Sequence, residues 1–285
     1  MTIAEDTTAI VTRMRRAGEN RWRKAAVSFA YAVLPVVALV LVWEWVATTW
    51  PSLFFPPPSR IWDAGVALLF SGSPDTLFLT PAVTVDIAGT VSRALLGFAL
   101  GSIVGIIAGT VIGRSMVVRD LTNPIVEFLR SIPATATLPL FIIIFGGEDG
   151  MRLAFIAYTV MWFVLINTAA GVSTIHGTVL DMCKTFRVPV LKVFFRVMLP
   201  AALPKIFAGL RIAITVALLS AIVSELMLAS NGIGYRLVIA QTQFRMGDLW
   251  AWMVVLALIG FVFNTVMEAV ERRVLAWDRL ARVGG

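Results

Sequence analysis

The sequence predicts an all-α membrane protein that crosses the bilayer six times. Three observations predict it. Hydrophobic residues make up 59% of the 285 and charged residues 14%, whereas soluble domains are about half apolar and about a quarter charged. Apolar stretches of about 20 residues, the length that crosses a hydrocarbon core, recur along the chain. Lysine and arginine are partitioned between alternate connections, as membrane orientation requires.

The first span is read at Ala26–Ala47, with Glu44 near its far end, after a basic N-terminal tail at 1–25. It is too long for a cleaved signal segment, so no cleavage is expected. A proline-containing connection closes the segment 26–82. Ser59 is expected to cap a short amphipathic helix, Arg60–Phe70, after the run Pro56-Pro57-Pro58. Trp43, Trp45, Trp50 and Trp62 fit an interfacial aromatic belt.

The helical core is placed at 83–272. Its spans are read at Val83–Gly113, Leu121–Phe145, Leu153–Val172, Ile206–Leu228 and Leu249–Val270. A short tail follows at 273–285. Gly97, Gly101, Gly105, Gly109 and Gly113 recur every four residues. Such a stripe lets another backbone come close, within the chain, at a subunit interface or along a pathway. Pro124, Pro133 and Pro139 predict a kinked third span beside a cavity.

Charges at membrane depth are costly and mark structure or function. Salt bridging or snorkelling is expected for Arg93, Glu127, Arg130 and Arg211. Arg130, Ser131 and Pro133 are also candidates for the pathway. Glu225 follows the uncharged run Ile212–Ser224 and is read either as a structural hydrogen-bond partner or as a gate residue.

Orientation follows from the basic residues. Arg13, Arg15, Arg16, Arg21, Arg23, Lys24, Arg114, Arg119, Lys205, Arg272, Arg273, Arg279 and Arg282 fall on one side with six spans. So does a basic insert between the fourth and fifth spans, at about 173–204, which holds Lys184, Arg187, Lys192 and Arg196. The opposite side has Arg60, Arg152, Arg236 and Arg245. Both termini and the insert are therefore expected in the cytoplasm. The net charge of +7 reports this orientation, not nucleic-acid binding. Cys183, the single cysteine, cannot form an intramolecular disulfide and is read as a reduced thiol.

Other chemistry is missing from the sequence. His176 is the only histidine, so no metal constellation can be built around it. No GxxxxGK[ST] loop is present, and no nucleophile–base pair stands out. The chain is expected to be neither an enzyme nor the carrier of its own ATP site. Asn231-Gly232-Ile233-Gly234 reads as a turn on the outer face.

The insert Asp181–Pro204 has a recognisable spacing. It resembles the cytoplasmic "EAA" coupling loop of permeases from binding-protein-dependent ABC importers. Asp181 stands for the Glu, Met182 and Cys183 for the two alanines, Val197 for the aliphatic residue, and Leu199-Pro200 for Leu-Pro. Arg187 stands where the family has glycine, so the turn there is expected to form by other means. Phe54-Phe55-Pro56-Pro57-Pro58-Ser59, Leu129-Arg130-Ser131-Ile132-Pro133, Leu138-Pro139-Leu140 and Phe145-Gly146-Gly147-Glu148 resemble the nitrate/sulfonate/taurine/bicarbonate branch. So do Ala201-Leu203-Pro204, Gly209-Leu210-Arg211, and Ser224-Glu225 followed by Gly232-Ile233-Gly234.

The resemblance implies a loop, with Lys184, Phe186, Arg187 and Lys192 on it, that docks onto a separate ATPase. Two ATPase copies would bind ATP and Mg, and this chain would bind no cofactor. A second permease copy, as a homodimer, and an extracytoplasmic substrate-binding protein complete the implied assembly. The implied substrate is a small anion such as a sulfonate, nitrate or an aromatic carboxylate, with a neutral or cationic vitamin precursor as the alternative. An ion-coupled secondary transporter would instead show an internal repeat around paired broken helices. No convincing repeat is seen, and the loop would be left unexplained.

Overall fold

In the computed structural model, residues 31, 33–76, 78–228 and 230–277 are described. The tail at 1–25, the start of the first predicted span, and Arg279 and Arg282 lie outside them. The chain forms two compact units, Met1–Ala64 and Gly65–Gly285.

In the first unit, α1 (Val33–Thr49) is apolar and mostly exposed. α2 (Pro58–Phe70) begins in this unit. Ser59 is not its cap, because the helix already starts at Pro58, where a proline fits the first turn. Ser59 instead donates its backbone N–H (3.0 Å) and its hydroxyl (2.7 Å) to the Glu44 carboxylate. An acidic side chain from α1 thus takes up a first-turn donor that has no partner within its own helix.

The second unit is built on four long apolar helices. α3 (Ala88–Arg114) continues a π-helical turn, Ala82–Ile87. α6 (Asp149–Val172) and α9 (Leu199–Leu228) pack against it, and α11 (Met246–Val274) lies against α9. Ala94, Ile156, Val160, Val164, Ala213, Ala217 and Ala221 form the central core. Small residues there let the three backbones pack closely. α11 exposes Leu258, Phe261, Val262 and Val266, an apolar surface suited to lipid.

The glycine stripe faces α6. A Cβ at Gly97 would meet Ile156, at Gly101 Val160, at Gly105 Val164, at Gly109 Thr168 and at Gly113 Val172, all within 3 Å. Both members of each pair advance by four residues, so α3 and α6 run parallel. α4 and α5 must therefore return the chain to the starting side between them.

They do so as a broken element. The predicted single kinked third span is two helices, α4 (Met116–Ser131) and α5 (Ala134–Phe145), meeting at 92°. Pro133 lies at the break, not within a helix, and Ile132 before it is extended, as a residue preceding proline prefers. Pro124 and Pro139 lie inside α4 and α5. By length and composition, four helices among the described residues can cross, five if the bent pair is counted as one span, against the six predicted.

Candidate functional site

The first candidate region joins α6 to α9. α7 (Gly177–Thr185) is followed by a tight turn, by α8 (Val190–Val193), and by a π-helical turn, Phe194–Met198, that runs into α9. Arg187 has φ +50°. Its N–H donates to Lys184 O (2.9 Å), and the Val188 N–H donates to Cys183 O (2.9 Å). This is the Schellman pattern that ends helices at a left-handed residue, usually glycine. The turn is thus the one a glycine would make, contrary to the expectation of a different route. Arginine there carries a left-handed strain of about 1–2 kcal/mol.

The loop residues divide into two sets. Cys183, Val188, Val197 and Leu199 turn inward and pack on Val172, Val193, Met198, Ala202 and Ile206. This cluster fastens the loop to the end of α6 and the start of α9. Pro200 is half-buried in the first turn of α9. The other set faces outward. Phe186 is 78% exposed and Leu191 72%, with Met182, Val190 and Phe195 also exposed. Asp181 and Lys184 form an exposed ion pair at 2.9 Å. Arg187, Lys192 and Arg196 are exposed without an ion pair among the described residues.

The second region lies at the opposite end of α3, α6 and α9. Glu225 is buried. Its carboxylate accepts hydrogen bonds from Thr90 Oγ1 (2.8 Å), Arg93 Nη1 (2.9 Å) and the Gly234 N–H (3.0 Å). Arg93 also donates to Asp149 Oδ1 (2.8 Å) and to Asn231 Oδ1 (2.5 Å). Arg152 bridges Asp149 Oδ1 (2.5 Å) and Leu228 O (2.8 Å). Asp86 accepts from the Gly232 N–H (2.9 Å) and Arg236 Nε (2.7 Å). Three arginines thus meet three carboxylates. Buried charges persist only when paired and hydrogen-bonded in this way.

Glu225 therefore has the surroundings of a structural hydrogen-bond partner, the first of its two expected roles. The turn Asn231–Gly234 is the seat of its carboxylate. Gly232 has φ +111°, and a Cβ there would lie 2.4 Å from Glu225 Cδ. Asp86, Thr90, Asp149, Arg152 and Arg236 escape the sequence reading as members of this hub. The available signal was the Gly-Ile-Gly step a few residues after a lone buried acid.

The other membrane-depth charges are also paired. Arg130 contacts Glu127 (2.9 Å) and Arg211 contacts Glu271 (2.7 Å). Ser131 Oγ donates to Phe128 O (2.7 Å). Arg130, Ser131 and Pro133 cluster at the α4–α5 break and are exposed there. No group of three metal-ligating side chains occurs among the described residues.

A parallel glycine-seamed helix pair, a broken helix pair and a projecting two-helix loop describe a helical protein with several apolar helices of membrane-crossing length. The sequence model of the family described as "Binding-protein-dependent transport system inner membrane component" matches residues 101–276. The chain belongs to this family. It is 29% identical to the taurine transport system permease protein TauC of Escherichia coli, over 85% of this chain and 87% of that one. It is 30% identical to the bicarbonate transport system permease protein CmpB of Synechocystis, over 80% and 84%. It is 30% identical to the putative aliphatic sulfonates transport permease protein SsuC of Bacillus subtilis, over 66% and 68%. The fold is that of a chain of the MetNI methionine ABC transporter in an inward-facing conformation. That match has TM-score 0.56 and 14% identity, over 65% of this chain and 92% of that one.

Proposed function

We propose that this chain forms the translocation pathway of an ABC importer and is driven through its α7–α8 loop by a separate ATPase. The observation that carries the reading is the division of the loop. One set of side chains roots it in the helices, and the other presents Phe186, Leu191 and Phe195 to water with nothing of their own chain to cover them. Aromatic and apolar anchors of this kind, ringed by Arg187, Lys192 and Arg196, suit a partner groove that joins apolar and acidic surface. Two ATPase copies would bind ATP and Mg, and two copies of this chain would enclose the pathway. The loop and both termini would lie in the cytoplasm. A substrate-binding protein would dock at the hub end.

For the cargo we propose a small oxyanion, in keeping with relatives named for taurine, aliphatic sulfonates and bicarbonate. Arg130, Ser131 and Pro133 at the α4–α5 break are proposed to line the pathway. Glu225 is assigned to the hub. The test is uptake into proteoliposomes holding this chain, its ATPase and its binding protein. Labelled taurine, nitrate and bicarbonate should be compared with and without internal ATP. Uptake that requires ATP hydrolysis is expected. Uptake that follows a proton gradient without the ATPase would sink the reading.

A further inference from the structure

α4 carries three different faces. Asp120, Asn123, Glu127 and Arg130 recur at helical spacing on one of them, and all four are exposed. Val117, Leu121, Ile125 and Phe128 share the next, and each is at least 59% exposed. Val118, Thr122, Val126 and Leu129 share the third and are half-buried, so this face is turned to the rest of the chain. On the polar face the ion pairs stay within α4. Arg130 contacts Glu127 (2.9 Å), and Arg119 lies 3.8 Å from Asp120. No other element offers this face a salt bridge among the described residues.

The α3–α6 seam fixes how α4 runs. Gly113 near the end of α3 opposes Val172 at the end of α6. Only Ser115 separates α3 from α4, so α4 starts level with the end of α6. The chain must then climb back to the start of α6, a helix of 24 residues and about 36 Å. α5, with 12 residues, supplies about 18 Å. Its links to α4 and α6 are short, Ile132–Pro133 and Gly146–Glu148, and the Gly146 N–H turns back onto Ile142 O (2.9 Å). α4 therefore carries a large share of the climb. It has 16 residues, about 24 Å, and two legs of these lengths meeting at 92° span about 30 Å end to end. That is the thickness of a hydrocarbon core. With α3 and α6 both crossing, α4 enters the membrane and does not lie along its surface.

We propose that the polar face of α4 is a water-bearing wall of the translocation pathway, in the half of the membrane next to the α7–α8 loop. Polar and charged groups at this depth are costly against lipid. Asn123 and Glu127 are too short to reach headgroups from there, as a long basic side chain can. Water in the pathway satisfies them, and the apolar face beside them suits lipid. The inference rests on the pathway proposed above and extends it, because Asp120, Asn123 and Glu127 join Arg130 in its wall.

The test is spin labelling of single cysteines in the full chain, reconstituted in lipid with its ATPase. Cys183→Ser removes the one native thiol. Labels at Asn123→Cys and Glu127→Cys should collide with a water-soluble nickel chelate. Labels at Leu121→Cys and Ile125→Cys should collide instead with oxygen dissolved in the lipid. Between Val117→Cys and Phe128→Cys the depth should increase by about 10 Å or more, along three turns of a tilted helix. Equal depth at these two positions would overturn the proposal, because α4 would then lie along the membrane surface. So would labels at Asn123 and Glu127 that the chelate cannot reach, since that face would then be packed on protein or lipid. Neither measurement needs cargo or ATP, so its failure is distinct from a failure of ATP-driven uptake.

Discussion

The two ends of the α3–α6–α9 core solve opposite problems with similar residues. At the hub, Arg93, Arg152 and Arg236 are held against Asp86, Asp149 and Glu225, and both Arg93 and Glu225 are almost wholly buried. At the loop, Arg187, Lys192 and Arg196 stand in solvent beside bare phenylalanine and leucine. The hub is closed by its own chain. The loop leaves exposed what a hub would bury. A folded protein gains nothing from such exposure by itself, so the difference separates a part that holds the fold from a part we propose to meet another molecule.

Three experiments press on that difference. The largest effect is expected from Glu225→Ala. It removes the one fully buried counter-charge of Arg93 and leaves only the largely exposed Asp149, a loss of about 3 kcal/mol. Thermal unfolding in detergent should show a large drop, and Glu225→Gln, which keeps the hydrogen-bonding shape, a smaller one. An unchanged melting temperature for Glu225→Ala would mean that the hub does not hold this end together.

Phe186→Asp with Leu191→Asp should act the other way round. Both side chains are exposed, so stability should move by less than about 0.5 kcal/mol. Loss of two anchors, at about 2 kcal/mol each, should weaken ATPase association by about a thousandfold. Co-purification with the ATPase measures it. A complex that survives intact would remove the loop from its proposed role. The smallest effect is expected from Arg187→Gly. Relief of the left-handed strain should raise stability by about 1 kcal/mol or less, because glycine also frees the unfolded chain. A fall in melting temperature would show that the arginine side chain contributes more than its backbone costs.

Much of the architecture could be read from the sequence. The apolar stretches locate the long helices, because crossing length and composition are local properties. The glycine stripe announces close packing, but its partner does not follow from the stripe, since α6 lies some 60 residues away in sequence. The break at Ile132–Pro133 was misread as a kink. Three prolines in one apolar stretch look alike, and only the fold distinguishes Pro133 between helices from Pro124 and Pro139 inside them. The place of the loop between two long helices was legible through the spacing it shares with a family pattern. The hub was legible only in part: Arg93 and Glu225 stand out as membrane-depth charges, but its members come from four separated segments, and Asp86, Asp149, Arg152 and Arg236 look singly like surface charges.

The α3–α6 seam has a consequence for how this chain can vary. Each glycine opposes one particular residue of α6, and the match is repeated five times in step. Inserting or deleting a single residue in either helix would rotate everything beyond it by about 100°. Every glycine past that point would swing away, and a bulky neighbour would take its place against the opposing backbone. The seam thus fixes the length of both helices between their first and last pairs as firmly as it fixes their composition. Changes in chain length are left to the connections outside it.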